Sequence, residues 1–179
     1  SYWASPIVVG HTLYITTWSG DIKKPTSNDN NMILAVDFNN GLTNKKWNAT
    51  LPAWSFSTPA YSDGIVVAGC HNESGPSLFA YNATTGHFLW SADVGAIDRA
   101  SPVIANGMVY IISEVGTTAP FSDRTQLTAL HLNNGTLLWN TTLGEKKVHQ
   151  DFLTWDANDT IADCTPAYYD GVLYLTTPD

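Results

Sequence analysis

Charged residues are scarce in this chain. Only 13% of its 179 residues are charged, about half the share found in an average globular domain. Lys and Arg together number 8 against 16 Asp and Glu, which gives a formal net charge of −8. Because nucleic-acid binding requires clustered basic side chains that neutralise phosphates, we expect no nucleic-acid partner.

Long apolar runs and helical periodicity are also missing. No stretch approaches the roughly 18 consecutive apolar residues of a transmembrane helix, so we expect no membrane span. No stretch repeats its apolar residues with the 3.6-residue period of an amphipathic helix. The sequence therefore predicts very little helix.

Cysteine is rare, whereas Asn-X-Ser/Thr sequons are frequent. The two cysteines, Cys70 and Cys164, leave a disulfide and two free thiols equally open. The sequons exceed the few that chance would give, and they indicate a glycosylated protein that is extracellular or at the cell surface. Their asparagines are Asn48, Asn72, Asn82, Asn134, Asn140 and Asn158.

A first repeated unit combines an alanine, a glycine and a tryptophan. The glycine follows the alanine by six positions in all three copies, and the tryptophan follows the glycine by four positions in two of them. In the first copy the tryptophan comes six positions after the glycine. The copies are Ala35–Gly41 with Trp47, Ala80–Gly86 with Trp90, and Ala129–Gly135 with Trp139.

A second unit alternates with the first and begins with Ser-Pro or Thr-Pro. A Tyr or Val follows the proline by eight positions in every copy, with a glycine-containing turn between them. Asp-Gly and Asn-Gly between apolar runs are strong hairpin signals. The copies run from Pro6 to Tyr14, Pro59 to Val67, Pro102 to Tyr110, and Pro166 to Tyr174, and their turns are Gly10-His11, Asp63-Gly64, Asn106-Gly107 and Asp170-Gly171.

Together the two units predict four strands per repeat, arranged as two hairpins, and hence an all-β propeller. We expect one partial propeller domain over residues 1–179. We also expect buried alanines in the third strands and structural tryptophans packed against the same or an adjacent blade. The blade-like repeats cover about residues 5–50, 58–95, 101–144 and 165–179, with an irregular insertion at 145–163.

The Ala–Gly–Trp spacing resembles the tryptophan-docking motif of the PQQ-like repeat β-propellers, the quinoprotein alcohol dehydrogenase-like superfamily. The segment from Ser101 to Ile111 looks like the first two strands of such a repeat. The resemblance implies four-stranded antiparallel blades around a channel, of which this chain carries only about three and a half. It also implies that the remaining blades, from the same precursor or from another chain, are a partner.

In this architecture the loops before the first strands and after the second strands share one face around the channel. The resemblance therefore makes His71, Asp98, Arg99, Glu114 and Arg124 candidate ligand-binding residues. Arginine suits this role because its planar guanidinium can bind an oxyanion through two hydrogen bonds. Surface ion pairs, Arg99 with Asp98 and Arg124 with Asp123, remain an alternative. Further neighbours on this face would be Asp123, His149 and Asp151.

The insertion at 145–163 contains Asp156, Asp159 and Asp163, which raises the question of a calcium loop. The spacing lacks the glycine and the terminal glutamate of an EF-hand, so a solvated insertion is favoured and no metal is predicted. Active quinoprotein dehydrogenases carry an adjacent cysteine pair, which this chain lacks, and their calcium ligands cannot be assigned to its residues. We predict no cofactor; PQQ with Ca²⁺ applies only to an enzymatic alternative.

Composition and resemblance together favour a secreted or cell-surface propeller segment that acts as a binding or scaffold module. The alternative is part of an extracellular propeller enzyme that uses the mouth of the channel. Such an enzyme would be a quinoprotein dehydrogenase, or a hydrolase of a small anion such as tetrathionate.

Overall fold

The computed structural model describes residues 4–18, 30–39, 43–116, 124–145 and 164–176. These residues form fourteen strands and, within those ranges, no α-helix. The strands are β1 Ile7–Val9, β2 Thr12–Thr17, β3 Met32–Asp37, β4 Asn44–Thr50, β5 Ala60–Ser62, β6 Ile65–Gly69, β7 Leu78–Asn82, β8 Phe88–Ala92, β9 Val103–Ala105, β10 Met108–Val115, β11 Arg124–His131, β12 Leu137–Glu145, β13 Ala167–Tyr169 and β14 Val172–Tyr174.

The strands form three four-stranded antiparallel sheets and one two-stranded sheet, each in chain order. We call the sheets blade 1 (β1–β4), blade 2 (β5–β8), blade 3 (β9–β12) and the half-blade (β13–β14). The first strand of each blade lies next to the first strand of its neighbours. This arrangement confirms the predicted all-β fold with blade-like four-stranded sheets. Among the described residues no helix is long and apolar enough to cross a membrane.

The turns between the first and second strands have left-handed backbone conformations. Asp63, Asn106 and Asp170 have φ of 51°, 52° and 46°, and the glycine after each is also positive. Asn and Asp tolerate this region better than other residues with side chains, and glycine adopts it freely. The Asp-Gly and Asn-Gly pairs therefore close tight hairpins, as predicted.

The alanine of each Ala–Gly–Trp unit lies directly opposite the tryptophan of the same unit, within one blade. Ala80, in β7, faces Trp90 in β8, and the register shifts at the next residue of β7. Such a β-bulge redirects the side chains of an edge strand. The ring of Trp90 consequently points toward blade 3, where its Nε1 donates a hydrogen bond of 2.7 Å to the carbonyl oxygen of Leu132. Trp47 makes the equivalent bond of 2.9 Å to the carbonyl oxygen of Ala83 in blade 2.

The third tryptophan departs from the expectation that all three are packed between blades. Trp47 and Trp90 are buried, whereas 42% of the surface of Trp139 is exposed. Trp139 has the same register opposite its alanine, Ala129. The difference arises because Trp139 faces the half-blade, where no described residue takes the place of Ala83 or Leu132.

A ladder of hydrogen bonds joins the residues that begin the first strands. The backbone N–H of Ser5 donates to Thr58 Oγ1 at 3.0 Å, that of Thr58 to Ser101 Oγ at 2.9 Å, and that of Ser101 to Thr165 Oγ1 at 3.0 Å. Each bond runs from one blade to the next along the chain. The hydroxyl of the Ser-Pro or Thr-Pro motif therefore links neighbouring blades at the innermost strands. The predicted insertion at 145–163, apart from the end of β12, lies outside the described residues.

Candidate functional site

One end of the blades collects the loops that the sequence analysis placed around the channel. We call this end the mouth face. It comprises the residues that follow the second strands and precede the third, together with the loops that precede the first strands. Its described members are Trp18 and residues 4–6, 30–31, 51–59, 70–77, 93–102, 116 and 164–166, to which we add Glu114 and Val115 at the end of β10.

Backbone hydrogen bonds bring four of the five predicted ligand-binding residues to a common region of the mouth face. The amide of Ala96 donates to the carbonyl oxygen of Glu114, and the amide of Glu114 donates back, both at 2.8 Å. The next amide, that of Ile97, donates to the carbonyl oxygen of Cys70 at 3.3 Å. The loop carrying Asp98 and Arg99 joins β8 to β9. It is thus held on one side by Glu114 in blade 3 and on the other by Cys70, the residue before His71, in blade 2. Asp98, Arg99, His71 and Glu114 are all half-buried.

Arg124 is placed differently. It begins β11 and lies opposite Val115, whereas Glu114 lies opposite Thr125. Because residues opposite each other share a sheet face and successive residues alternate, Arg124 and Glu114 belong to opposite faces of blade 3. The register thus separates Arg124 from Glu114, although both lie at the same end of blade 3.

A row of aromatic rings crosses the mouth face from blade 1 to blade 2. The ring of Trp18 meets Phe56 edge-on, with centroids 5.7 Å apart. Phe56 contacts Trp54 at 4.7 Å, and Trp54 stacks on the His71 imidazole at 4.2 Å with 10° between the planes. Trp18, Trp54 and His71 remain half-buried, so the row retains accessible surface.

Stacking and a carboxylate fix the orientation of His71. Its Nε2 lies 3.1 Å from Glu73 Oε1, and its backbone N–H donates to the carbonyl oxygen of Trp54 at 2.9 Å. A neutral imidazole that donates from Nε2 to the carboxylate carries its lone pair on Nδ1. Nδ1 is buried and has no hydrogen-bond partner within the described part of the chain.

Further buried polar atoms at the mouth face have no hydrogen-bond partner among the residues that the structure describes. Asn31, Ser57 and Ser77 are buried residues, and Asn31 Oδ1, Ser57 Oγ and Ser77 Oγ make no hydrogen bond to other described residues. The same holds for Trp18 Nε1. An unpaired buried polar group costs about 1–3 kcal/mol and is rare in native proteins. These atoms all lie at one end of the blades, which is consistent with a polar group binding there.

The two cysteines are free thiols in the structure, so the candidate disulfide is not formed. Cys70 is fully buried at the end of β6, and burial raises the pKa of its thiol to about 12. Cys164 is half-buried and packs against the core shared by blades 2 and 3. Because burial outweighs a backbone hydrogen bond with Ala53, the Cys70 thiol stays protonated at neutral pH and is a poor nucleophile.

The predicted glycosylation sites differ in exposure. Asn48, Asn134 and Asn140 are exposed, whereas Asn72 and Asn82 are half-buried. The Nδ2 of Asn72, the atom that would carry a glycan, donates to the carbonyl oxygen of Pro76 at 2.8 Å. Asn158 lies outside the described residues, as do the candidate neighbours Asp123, His149 and Asp151.

The described residues do not fit a calcium site of the kind that accompanies PQQ. No three His, Cys, Asp or Glu side chains within the described ranges come close enough together to hold a metal ion. Ca²⁺ takes six to eight oxygen ligands. One face of the Trp54 ring is also occupied by the stacked His71 imidazole, and the ring contacts Phe56 as well.

The aromatic row of Trp18, Phe56, Trp54 and His71 was not predicted from the sequence. The row depends on contacts between loops of two different blades, which a repeat pattern does not specify. A signal was nevertheless present. Trp54 and Phe56 occupy the loop positions that hold Ile97 and Arg99 in the next blade, so this loop exceeds its counterpart in aromatic content.

Comparisons with known proteins agree with the fold. The chain is 25% identical to the tetrathionate hydrolase of Acidithiobacillus ferrooxidans over 187 aligned positions, which cover 96% of this chain and 33% of that protein. Its structure resembles BamB from Moraxella catarrhalis, with a TM-score of 0.58 and 20% identity over 93% of this chain and 43% of BamB. It also resembles a europium-containing methanol dehydrogenase, with a TM-score of 0.58 and 19% identity over 76% of this chain and 24% of the dehydrogenase.

The chain thus spans about a third of the curated relative that it matches and less than half of these solved structures. The two structural similarities are below 25% identity and show the fold alone. The family profile described as "Outer membrane protein assembly factor BamB" matches residues 28–154, which is most of the chain. Taken with the docked tryptophans and the four-stranded blades, this match shows that the chain belongs to the PQQ-like repeat β-propeller family.

Proposed function

We propose that this chain is an arc of a secreted or cell-surface, glycosylated β-propeller that binds a ligand at the mouth face. Further blades, from the same precursor or from another chain, complete the ring. The observation that carries this proposal is a collection of buried polar atoms beside the aromatic row that have no hydrogen-bond partner among the described residues. Asn31 Oδ1, Ser57 Oγ and His71 Nδ1 are the central members.

The mouth face offers two kinds of interaction to a ligand. The rings of Trp18 and Trp54 provide apolar surface of the kind that lines binding sites. His71 and the nearby Arg99 provide polar groups that bind anions when charged. A small anion with an apolar body therefore suits the mouth face better than a fully hydrated ion.

A second candidate is hydrolysis of a small anion, which the similarity to tetrathionate hydrolase specifically favours. Under this proposal, Arg99 would bind the anion and His71, oriented by Glu73, would exchange a proton with water. Binding and hydrolysis use the same residues and differ only in whether the anion is consumed.

One experiment separates the two candidates. The protein, purified from its native source with all of its blades, is titrated with sodium tetrathionate while its tryptophan fluorescence and the anion concentration are followed. Saturable fluorescence change without consumption of tetrathionate supports the binding module. Consumption supports the hydrolase. If millimolar tetrathionate causes no fluorescence change and is not consumed, both proposals are contradicted for this class of ligand.

Two histidines form a matched pair for this experiment. His71→Ala removes the stacked, carboxylate-bound ring of the mouth face. His87→Ala removes an exposed histidine from the turn between β7 and β8 at the opposite end of blade 2. We expect binding or turnover to fall at least about tenfold in His71→Ala and to stay unchanged in His87→Ala. Equal effects of the two substitutions would place the site elsewhere.

A further inference from the structure

Trp18 and Asn31 lie opposite each other where blade 1 reaches the mouth face. β2 and β3 pair in antiparallel register as far as Thr17 and Met32. The next position of this register joins Trp18 to Asn31. The Leu51 amide still donates to the Asn31 carbonyl oxygen at 2.8 Å, so the sheet geometry extends to this position. Because residues opposite each other share a sheet face, both side chains lie on the same side of blade 1.

The two side chains carry complementary polar atoms that do not bond to each other. Trp18 Nε1 can only donate a hydrogen bond, and Asn31 Oδ1 can only accept one. Both atoms are buried, and neither has a hydrogen-bond partner among the described residues. Asn31 as a whole is 7% exposed. A donor and an acceptor that share a face and stay unbonded suit a third group that accepts from one and donates to the other.

A ligand hydroxyl fills both roles at once. Its oxygen accepts from the Trp18 indole, and its proton is donated to the Asn31 amide oxygen. Ordered water can bridge the pair in the free protein, and a ligand hydroxyl replaces it without losing either bond. An anion whose oxygens carry no proton, such as tetrathionate, leaves the amide oxygen unpaired. Because an unpaired buried acceptor is costly, the pair favours a ligand that carries a hydroxyl group.

The aromatic row leads from this pair to the anion-binding part of the mouth face. The Trp18 ring meets Phe56, and the row ends where Trp54 stacks on His71 in blade 2. A ligand that follows the row therefore needs a hydroxyl group at one end, a charged group at the other and an apolar surface between them. The C–H face of a pyranose ring is such a surface, and it packs well on aromatic side chains.

We propose that the mouth face binds a hydroxylated ring carboxylate of the hexuronate class. One hydroxyl lies between Trp18 Nε1 and Asn31 Oδ1, and the carboxylate lies toward His71. The inference rests on the proposed function and narrows its ligand from a small anion with an apolar body to one that carries hydroxyl groups. It makes Trp18 and Asn31 the residues that determine specificity, although neither was among the predicted ligand-binding residues.

Three probes test the inference separately from the proposed function. The protein with all of its blades is titrated calorimetrically with sodium glucuronate, sodium cyclohexanecarboxylate and sodium tetrathionate. The first two probes share a saturated ring and a carboxylate, and only glucuronate has hydroxyl groups. We expect glucuronate to bind at least about tenfold more tightly than either other probe. Glucuronate affinity no higher than that of another probe overturns the inference but leaves the proposed function standing. If none of the three binds, both are contradicted.

Two substitutions of similar size assign the preference to this pair. Trp18→Phe keeps an aromatic ring without an N–H, and Asn31→Leu keeps the side-chain size without the acceptor. Each should lower the affinity for glucuronate about tenfold and leave that for cyclohexanecarboxylate unchanged. Trp139→Phe, at an exposed ring on the outer strand of blade 3, is the control and should change neither affinity. An equal loss for both probes in Trp18→Phe and Asn31→Leu would reflect lost packing and overturns the inference.

Stability without ligand gives an independent readout. Replacing an unpaired buried polar group by an apolar one of similar shape is nearly neutral, so Asn31→Leu should leave the urea midpoint of the ligand-free protein unchanged or higher. Ser55→Ala is the comparison, because the Ser55 hydroxyl donates to the Gly69 carbonyl oxygen at 2.6 Å and its loss should lower the midpoint. A decrease in Asn31→Leu as large as that in Ser55→Ala means that the amide is paired within the protein, and overturns the inference.

Discussion

The indole Nε1 of Trp90 donates a 2.7 Å hydrogen bond to the carbonyl oxygen of Leu132, one blade further along the chain. The same ring covers Gly135, where an added Cβ would lie 2.5 Å from Trp90 Cε3. The tryptophan of one blade and the glycine turn of the next therefore form a single packing unit. Its two halves can be tested separately.

The packing of Trp90 against Gly135 predicts that Gly135→Ala destabilises the protein more than Gly107→Ala. Gly135 and Gly107 have similar φ values of 69° and 72°, but a Cβ at Gly107 would meet nothing within 4 Å. Both Gly→Ala changes incur the strain of a left-handed backbone, about 1–2 kcal/mol. Gly135→Ala additionally displaces the Trp90 ring, and we expect it to cost about 2 kcal/mol more. Urea unfolding of the two variants measures the difference; equal losses would show that the ring is not held against Gly135.

The tryptophan half predicts a contrast between Trp90 and Trp139. Trp90→Ala removes a buried ring and should lower the free energy of unfolding by about 3–5 kcal/mol. Trp139→Ala removes a ring that is 42% exposed in this chain, and we expect it to cost about 1 kcal/mol or less. The comparison is made by urea unfolding of the 179-residue chain. A large loss in Trp139→Ala would mean that another surface of this chain covers the ring.

The buried thiol of Cys70 predicts a loss of stability at alkaline pH. Burial raises its pKa to about 12, against about 8.5 in an unfolded chain. The folded state therefore holds the proton more tightly, and this contribution is present below about pH 8.5 and is lost as the pH rises toward 12. Between pH 9 and 11 the free energy of unfolding should fall less steeply with pH in Cys70→Ala than in the unaltered chain, by up to about 1.4 kcal/mol per pH unit.

A second titrating group and a control variant have to be considered when the alkaline unfolding data are interpreted. Tyr81 also has a pKa raised to about 12, by burial and by the nearby Cys70 charge, so some pH dependence remains in Cys70→Ala. Cys164→Ala is the matched control, because it removes the other cysteine of the chain, which is only half-buried. Native-state alkylation at pH 8 should likewise modify Cys164 well before Cys70. Equal alkylation rates would contradict the burial of Cys70.

Glycan occupancy should follow the hydrogen bonds of the sequon asparagines. At Asn134 only Oδ1 has a described bond, from the Thr136 amide and hydroxyl at 3.0 and 2.8 Å, which leaves the amide nitrogen accessible. At Asn72 the amide nitrogen is bonded to Pro76. We expect glycopeptide mapping of secreted material to find high occupancy at Asn134 and low occupancy at Asn72. The reverse order, or no modification at any sequon, would argue against the proposed exposure or against secretion.

The strands and turns were accessible to sequence reasoning because they depend on local chemistry. Asp63-Gly64 and Asn106-Gly107 specify hairpin turns because these residue types readily adopt the left-handed backbone conformation that such turns require. The burial of Ala80 opposite Trp90 follows from a spacing that recurs in each repeat. Trp139 shows where this reasoning stops. Its sequence context equals that of Trp90, but its exposure depends on which residues occupy the neighbouring blade.

The candidate site was predictable only in outline. The family resemblance placed Asp98, Arg99 and His71 on one face, and the structure holds their loops together through Ile97 and Cys70. The aromatic row could not be predicted in the same way, because loop contacts between blades are absent from the repeat. The sheet face of Arg124 could not be predicted either, because strand register decides it and a loop assignment does not contain the register.

The hydroxyl ladder from Ser5 to Thr165 has a direction, since every donor amide belongs to the earlier blade and every acceptor oxygen to the later one. A blade duplicated or deleted in frame restores the same donor and acceptor at both new boundaries. The ladder thus tolerates change in the number of blades during evolution without requiring compensating mutations at the innermost strands.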